Sequence, residues 1–218
     1  MNLEQLVARV DKIVDDSTYF DSDEITSILN QGVLRISGGL KRSDSISSVL
    51  TVPLPDLFTI TTVTTNATNN VQMPATYQRS LVFASNGAGQ ELPIYDSFQE
   101  FTQVWPRLNY VGSVNGLAVQ GKTLYYQGIP TLFDDLTLHF YRYPVEMVDT
   151  EDVPDGIPVE FHESLLVNYA CREIYTIKED GIDGGNFNTK KYDDRFQKAL
   201  MELDATIPSY GAPFRLTR

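Results

Sequence analysis

The 218-residue chain has one cysteine, one tryptophan and two histidines. A single cysteine, Cys171, excludes an internal disulfide and a thiolate-rich zinc site, and fits synthesis in a reducing cytoplasm. No apolar run reaches the roughly 20 residues that span a bilayer. The opening, "MNLEQLVARVDKIVDD", carries acids from position 4 and lacks the basic-then-apolar order of a signal peptide. Positive charge is also scarce: 17 Lys and Arg against 29 Asp and Glu leave a net charge of -12. Affinity for a phosphate backbone comes mainly from Lys and Arg that release counterions, so free nucleic-acid binding is not expected.

The acid is unevenly spread. Residues 149–206 hold fourteen acids and six bases, whereas the last twelve residues hold two arginines and no acid. An acidic body with a basic tip implies that the tip goes somewhere different. The remaining composition, 42% hydrophobic and 21% charged, is ordinary for a folded chain. Its length allows one core, or a core plus a sizeable insertion.

Hydrophobic period divides the chain. Leu3, Leu6, Val7, Val10 and Ile13 recur at helical spacing over 2–15. After a polar turn, Ser22 reads as a helix N-cap with Asp23 and Glu24 in the first turn. Ile25, Ile28, Leu29, Val33 and Ile36 follow as an apolar stripe, and Gly38-Gly39 stops the helix. From about Ser45 the period becomes 2. "LFTITTVTT" (57–65), "RSLVFAS" (79–85), "LAVQGKTLYYQG" (117–128) and "DLTLHFYRYP" (135–144) read as strands, with a hairpin at Gln120-Gly121-Lys122. Ser97 and Glu100 have capping-box spacing before a short helix that Pro106 ends. After the acidic linker 149–157, Pro158 opens another helix, with Phe161, Leu165 and Tyr169 on one face. Lys190–Thr206 is a further helix, with Phe196 and Leu200 on its apolar side.

The expected fold is therefore α+β. A four-helix bundle comes from the N- and C-terminal helix pairs (1–44 and 149–206). A small antiparallel β domain (45–148) is inserted between them, and 207–218 is an extended tail. Each helix has one apolar stripe, so the four bury them together. The expected bundle core includes Leu6, Val10, Ile28, Leu29, Phe161, Leu165, Tyr169, Phe196 and Leu200.

Catalytic patterns fall short. His162-Glu163 begins a zinc-protease signature, but the second histidine position is Leu166, and His139 lies in a strand. His162 is expected on the polar side of its helix. Cys171 falls on an apolar helix face and reads as a buried thiol. "SNGAGQE" (85–91) lacks the Lys-Ser/Thr of a phosphate loop and reads as a hairpin loop. "DGIDGGNFN" (180–188) lacks the order of a calcium loop. Asp15/Asp16, Asp134/Asp135 and Glu160/Glu163 are the acid pairs that could serve a glycan-cleaving hydrolase, which needs a cleft that raises one pKa. No catalytic, cofactor or metal site is assigned. The positive signal is interactional: Pro208, Tyr210, Phe214, Arg215, Leu216 and Arg218 give the tail an aromatic-and-arginine mix suited to binding. A carbohydrate- or receptor-binding module on the β segment, and a virion hydrolase, stay open as alternatives.

The order of features resembles the head-to-tail adaptor (connector) proteins of tailed bacteriophages, particularly short-tailed ones. The opening hairpin "LVARVDKIVDDSTYFDSDEITSILNQGVLRI", the pair "LYYQGIP" and "LTLHFYRYPVEM", the return helix in "DVPDGIPVEFHESLLVNYACREIY" and the last helix "YDDRFQKALMEL" carry it. The resemblance implies a structural protein of the virion, made in the bacterial cytoplasm. It implies a homo-oligomeric ring of roughly twelve subunits below the portal protein, with the helical bundle as wall and the C-terminal tail on the portal. The β domain would meet tail nozzle or tube proteins or the outside. Double-stranded DNA would pass without specific binding, and no membrane is involved. An acidic lumen suits that passage, because it repels phosphate over a Debye length of about 8–10 Å.

Overall fold

The computed structural model describes residues 1–15, 20–39, 53–179 and 186–207. Among them are five α-helices and seven strands in two sheets. The helices are α1 (Leu3–Val14), α2 (Ser22–Ser37), α3 (Phe98–Val104), α4 (Asn168–Lys178) and α5 (Phe187–Thr206). The strands are β1 (Phe58–Thr64), β2 (Asn70–Gln72), β3 (Tyr77–Ser85), β4 (Ile94–Tyr95), β5 (Gly116–Gln120), β6 (Thr123–Gln127) and β7 (Asp135–Arg142). The class is α+β, as the change of period implied. The described residues fall into two compact units, one from 1–57 and 143–207 and the other from 58–142.

In the helical unit the caps are set locally. Asn2 caps α1, its Oδ1 accepting from Gln5 N at 3.0 Å. The cap of α2 is Asp21, not Ser22. Asp21 Oδ1 accepts from Asp23 N and Glu24 N at 3.0 and 2.9 Å, and Glu24 reaches back to Asp21 N at 3.4 Å. Ser22 cannot form that reciprocal pair, because Ile25 stands three residues on. Leu6, Val10, Leu29, Leu165, Tyr169, Phe196 and Leu200 are fully buried and Phe161 nearly so. Ile28 is only half-buried. The inward face of α2 passes through Ile25, Leu29, Gly32, Val33 and Ile36, which puts Ile28 at its margin.

The segment after Pro158 is not one regular helix. Val159–Phe161 form a 3₁₀ turn, His162–Val167 a π-helix, and only Asn168–Lys178 is α-helical. This segment packs against α1, α2 and α5. It must bury His162, Leu165, Leu166 and Val167 together, a set wider than one α stripe. The wider π turn brings an extra side chain inward.

The stretch before this segment is also tied down. The Asn30 side chain bonds both backbone groups of Met147 at 2.9 Å, as a neighbouring strand would. Asp152 Oδ2 accepts from Val148 N and Asp149 N at 2.7 and 2.8 Å. The carbonyls of Thr150 and Asp152 accept from Glu4 N and Leu3 N. Free first-turn donors of α1 are thus satisfied, and the helical unit takes in 143–157. Ile207, read as the first tail residue, closes α5. Its N–H donates to the Leu203 carbonyl, and its side chain is fully buried.

In the sheet unit, β1, β7 and β3 form one antiparallel sheet in the order β1-β7-β3. The other runs β2-β6-β5-β4, with β4 parallel to β5. Leu81, Leu136, Leu138 and Phe140 from the first share a core with Leu117, Leu124 and Tyr126 from the second. The β5–β6 hairpin closes over Gly121-Lys122, where Gly121 has φ 62 and Gln120 pairs with Thr123. A two-residue loop needs that positive φ, which glycine supplies without strain.

Candidate interaction surfaces

His162 corrects its sequence reading. It is 3% exposed, not on a polar face. Its Nε2 lies 2.8 Å from the Ile157 carbonyl, and its Nδ1 lies 3.0 Å from the Met1 amino nitrogen. The Met1 carbonyl also lies 3.1 Å from Nδ1. The Ile157 carbonyl can only accept, so Nε2 carries a proton, and in the neutral ring Nδ1 accepts from the Met1 amino group. Burial holds the His162 pKa below its ordinary value, so the ring is neutral. Its place here is a clamp between the start of α1 and the 3₁₀ turn. Glu163 faces outward and pairs with Arg9 at 2.8 Å, both side chains about half exposed.

Of the candidate acids, Asp134 and Asp135, like Glu163, make structural bonds. Asp134 Oδ1 accepts from Gly87 N at 3.1 Å, holding the 85–91 loop. Asp135 Oδ1 accepts from Thr64 Oγ1 at 2.6 Å, at the end of β1. Asp16 lies outside the described residues. Cys171 is buried, and burial pushes its thiol up to about 12, which removes the thiolate a nucleophile needs. Among the described residues no three His, Cys, Asp or Glu side chains gather as metal ligands, and no helix is long and apolar enough to cross a membrane.

The helical unit has a charge cluster around the buried Arg172, beside its core. Arg172 bonds Glu173 and reaches Asp193 at 3.2 Å. Its guanidinium lies 4.9 Å from the Tyr169 ring centroid and 5.2 Å from that of Phe196. A planar cation that stacks and bonds at once needs arginine rather than lysine. This cluster pins α4 to α5.

Two hollows flank α2. One, of about 510 Å³, lies between α2 and residues 143–146, with Asp23, Asn30, Leu34, Tyr143, Val145 and Glu146 in its lining. The other, of about 480 Å³, lies between α1 and α2, with Glu4, Val7, Asp11, Asp21, Ile25 and Val148. They share Asp23 and Thr26. Val145 and Val148 are 67% and 78% exposed. In the sheet unit the most exposed large apolar side chains are Leu132 at 84% and Phe133 at 68%, between β6 and β7. The neighbouring Tyr110–Gly112 stretch is tied to Ile129 by two backbone bonds of 2.8 and 2.9 Å. Period reading missed both surfaces: Leu132, Phe133, Val145 and Val148 lie on irregular backbone, and the hollows join α1 and α2 to residues 143–150, distant in the chain. The tail residues Pro208, Tyr210, Phe214, Arg215, Leu216 and Arg218 lie outside the described residues.

The architecture is that of an α+β protein whose polar clusters hold its elements together and whose exposed apolar residues gather at defined places. A family model described as SU10 adaptor protein matches residues 1–217. The chain belongs to the SU10 adaptor protein family, a family of structural adaptors, in agreement with the resemblance read from the sequence. A search of curated proteins found no match.

Proposed function

We propose that this chain is a structural head-to-tail adaptor of a tailed-phage virion, forming a ring below the portal that joins capsid to tail and lines the DNA exit channel. The family match over residues 1–217 carries this reading. In it, the helices of 1–44 and 149–206 form the ring wall as a four-helix bundle, and the β domain inserted between them meets tail nozzle or tube proteins. The exposed Leu132 and Phe133 suit such a contact, since it would take their apolar surface out of water. The tail, through Tyr210, Phe214, Arg215, Leu216 and Arg218, docks on the portal. DNA passes without specific binding, for which a net charge of -12 is suited, because like charge keeps phosphates off the wall.

Native mass spectrometry of the protein with and without its portal tests this. The expected result is a complex holding about one adaptor per portal subunit, near twelve in all. A chain that stays monomeric and ignores the portal would sink the proposal and bring forward glycan cleavage or receptor binding.

A further inference from the structure

The trough beside α2 has one sign of charge. Glu4, Asp11, Asp21, Asp23 and Glu146 line its two hollows, and no lysine or arginine does. Its apolar side chains include Val145, Val148 and Leu34, 67%, 78% and 46% exposed. A surface that is both apolar and acidic is costly to leave open and repels a copy of itself. Two identical troughs therefore cannot face one another across a two-fold axis.

The complement is on another helix of the same unit. On α5, Phe187, Lys191, Arg195, Lys198 and Met201 follow at spacings of four, four, three and three residues, which keeps them on one face. All five are exposed, Phe187 by 76% and Met201 by 56%. Lys190 adds a cation; Asp194 and Glu202 share the face, Glu202 3.9 Å from Lys198 in an exposed pair open to exchange, and four cations against two acids keep the balance basic. The stripe runs about 21 Å from Phe187 to Met201, and the trough about 17 Å from Asp23 to Leu34, at 1.5 Å per residue. Each carries apolar side chains among the charges, so the two match in length, sign and polarity.

We infer that the α2 trough of one chain receives the α5 stripe of a second copy. This rests on the adaptor reading and names the surface that would build its ring. The two patches differ, so the contact is head-to-tail. Contacts of that kind close into rings when the rotation per subunit divides the circle. The trough's carboxylates pair with Lys191, Arg195 and Lys198, while Phe187 and Met201 cover the exposed valines and Leu34.

The test is sedimentation of the full chain at 50 mM and 500 mM salt, with charge reversals on each face. Asp11→Lys with Glu146→Lys reverses the trough, one site in each hollow and neither a helix cap. Lys191→Glu with Lys198→Glu reverses the stripe. Wild-type association should weaken about tenfold or more at the higher salt, where screening shortens the reach of charge to a few ångströms. Each double variant should lose association by about a hundredfold while keeping its melting temperature, and the quadruple variant, with both signs exchanged, should regain it. A monomeric wild type, or a quadruple variant that does not recover, overturns the interface. Portal binding is read separately: wild type that fails to bind the portal overturns the adaptor reading, whereas reversed variants that bind it without associating with each other support both.

Discussion

Both ring nitrogens of His162 are engaged, Nε2 with the Ile157 carbonyl and Nδ1 with Met1. Burial lowers its pKa from 6.5. The unfolded chain therefore takes up a proton near pH 6.5 that the folded chain refuses. Stability is full above that pH and falls as pH drops through it. His139, also lowered by burial, acts in the same direction. The melting temperature should decline between pH 7.5 and 5.5, before the carboxylates titrate. His162→Gln should cost about 1–3 kcal/mol at pH 7.5, because it disturbs a buried polar contact. It should also flatten the decline, leaving the part due to His139. Equal slopes for variant and wild type would refute this role. A histidine–glutamate pair near a helix start gave no hint of it, since the partners are 161 and 5 residues away in sequence.

Between elements, α2 lies close against α4 at Gly32. A Cβ on Gly32 would stand 2.7 Å from Tyr169 Cδ1. Alanine in a helix interior is favoured over glycine by about 1 kcal/mol, so an open site would gain stability. Here Tyr169 is fully buried, with the Phe196 ring at 5.6 Å and Arg172 at 4.9 Å, and it has little room to yield. Overpacking of this kind costs about 1–3 kcal/mol, so Gly32→Ala should destabilise by up to about 2 kcal/mol net. Chemical denaturation would show it, and a stabilised variant would mean that Tyr169 can move. Elements whose signals are local were legible in the sequence: α1, α2, α5 and the β5–β6 hairpin follow from caps, period and Gly121. The π turn was not, because burial on several sides at once causes it. Nor were β2 and β4, of three and two residues, which exist through pairing with β6 and β5.

For the whole molecule, the change of period revealed the α+β class, and the order of motifs revealed the family. The surfaces were harder, because the trough joins Glu4 and Asp11 to Glu146 and Val148, residues far apart in the chain that only folding brings together. The tail's composition was readable, but its start was not. The sequence "TIPSY" looks like a break at Ile207, yet that side chain is fully buried at the end of α5. This placement separates folding from docking. A chain ending at Thr206 loses a buried isoleucine worth about 2 kcal/mol, whereas one ending at Ile207 keeps it. At about 2–4 °C per kcal/mol for a chain of this size, the shorter form should melt about 4–8 °C below the longer. Both should fail to bind the portal, because both lack Phe214, Arg215 and Arg218. Replacing only Arg215 and Arg218 by glutamine should weaken portal binding more at 50 mM than at 500 mM salt, since screening already removes the charge term at the higher salt. A chain ending at Ile207 that binds the portal like the full chain would move the docking surface off the tail, and a salt-independent loss in the glutamine variant would assign the contact to packing of the arginine stems.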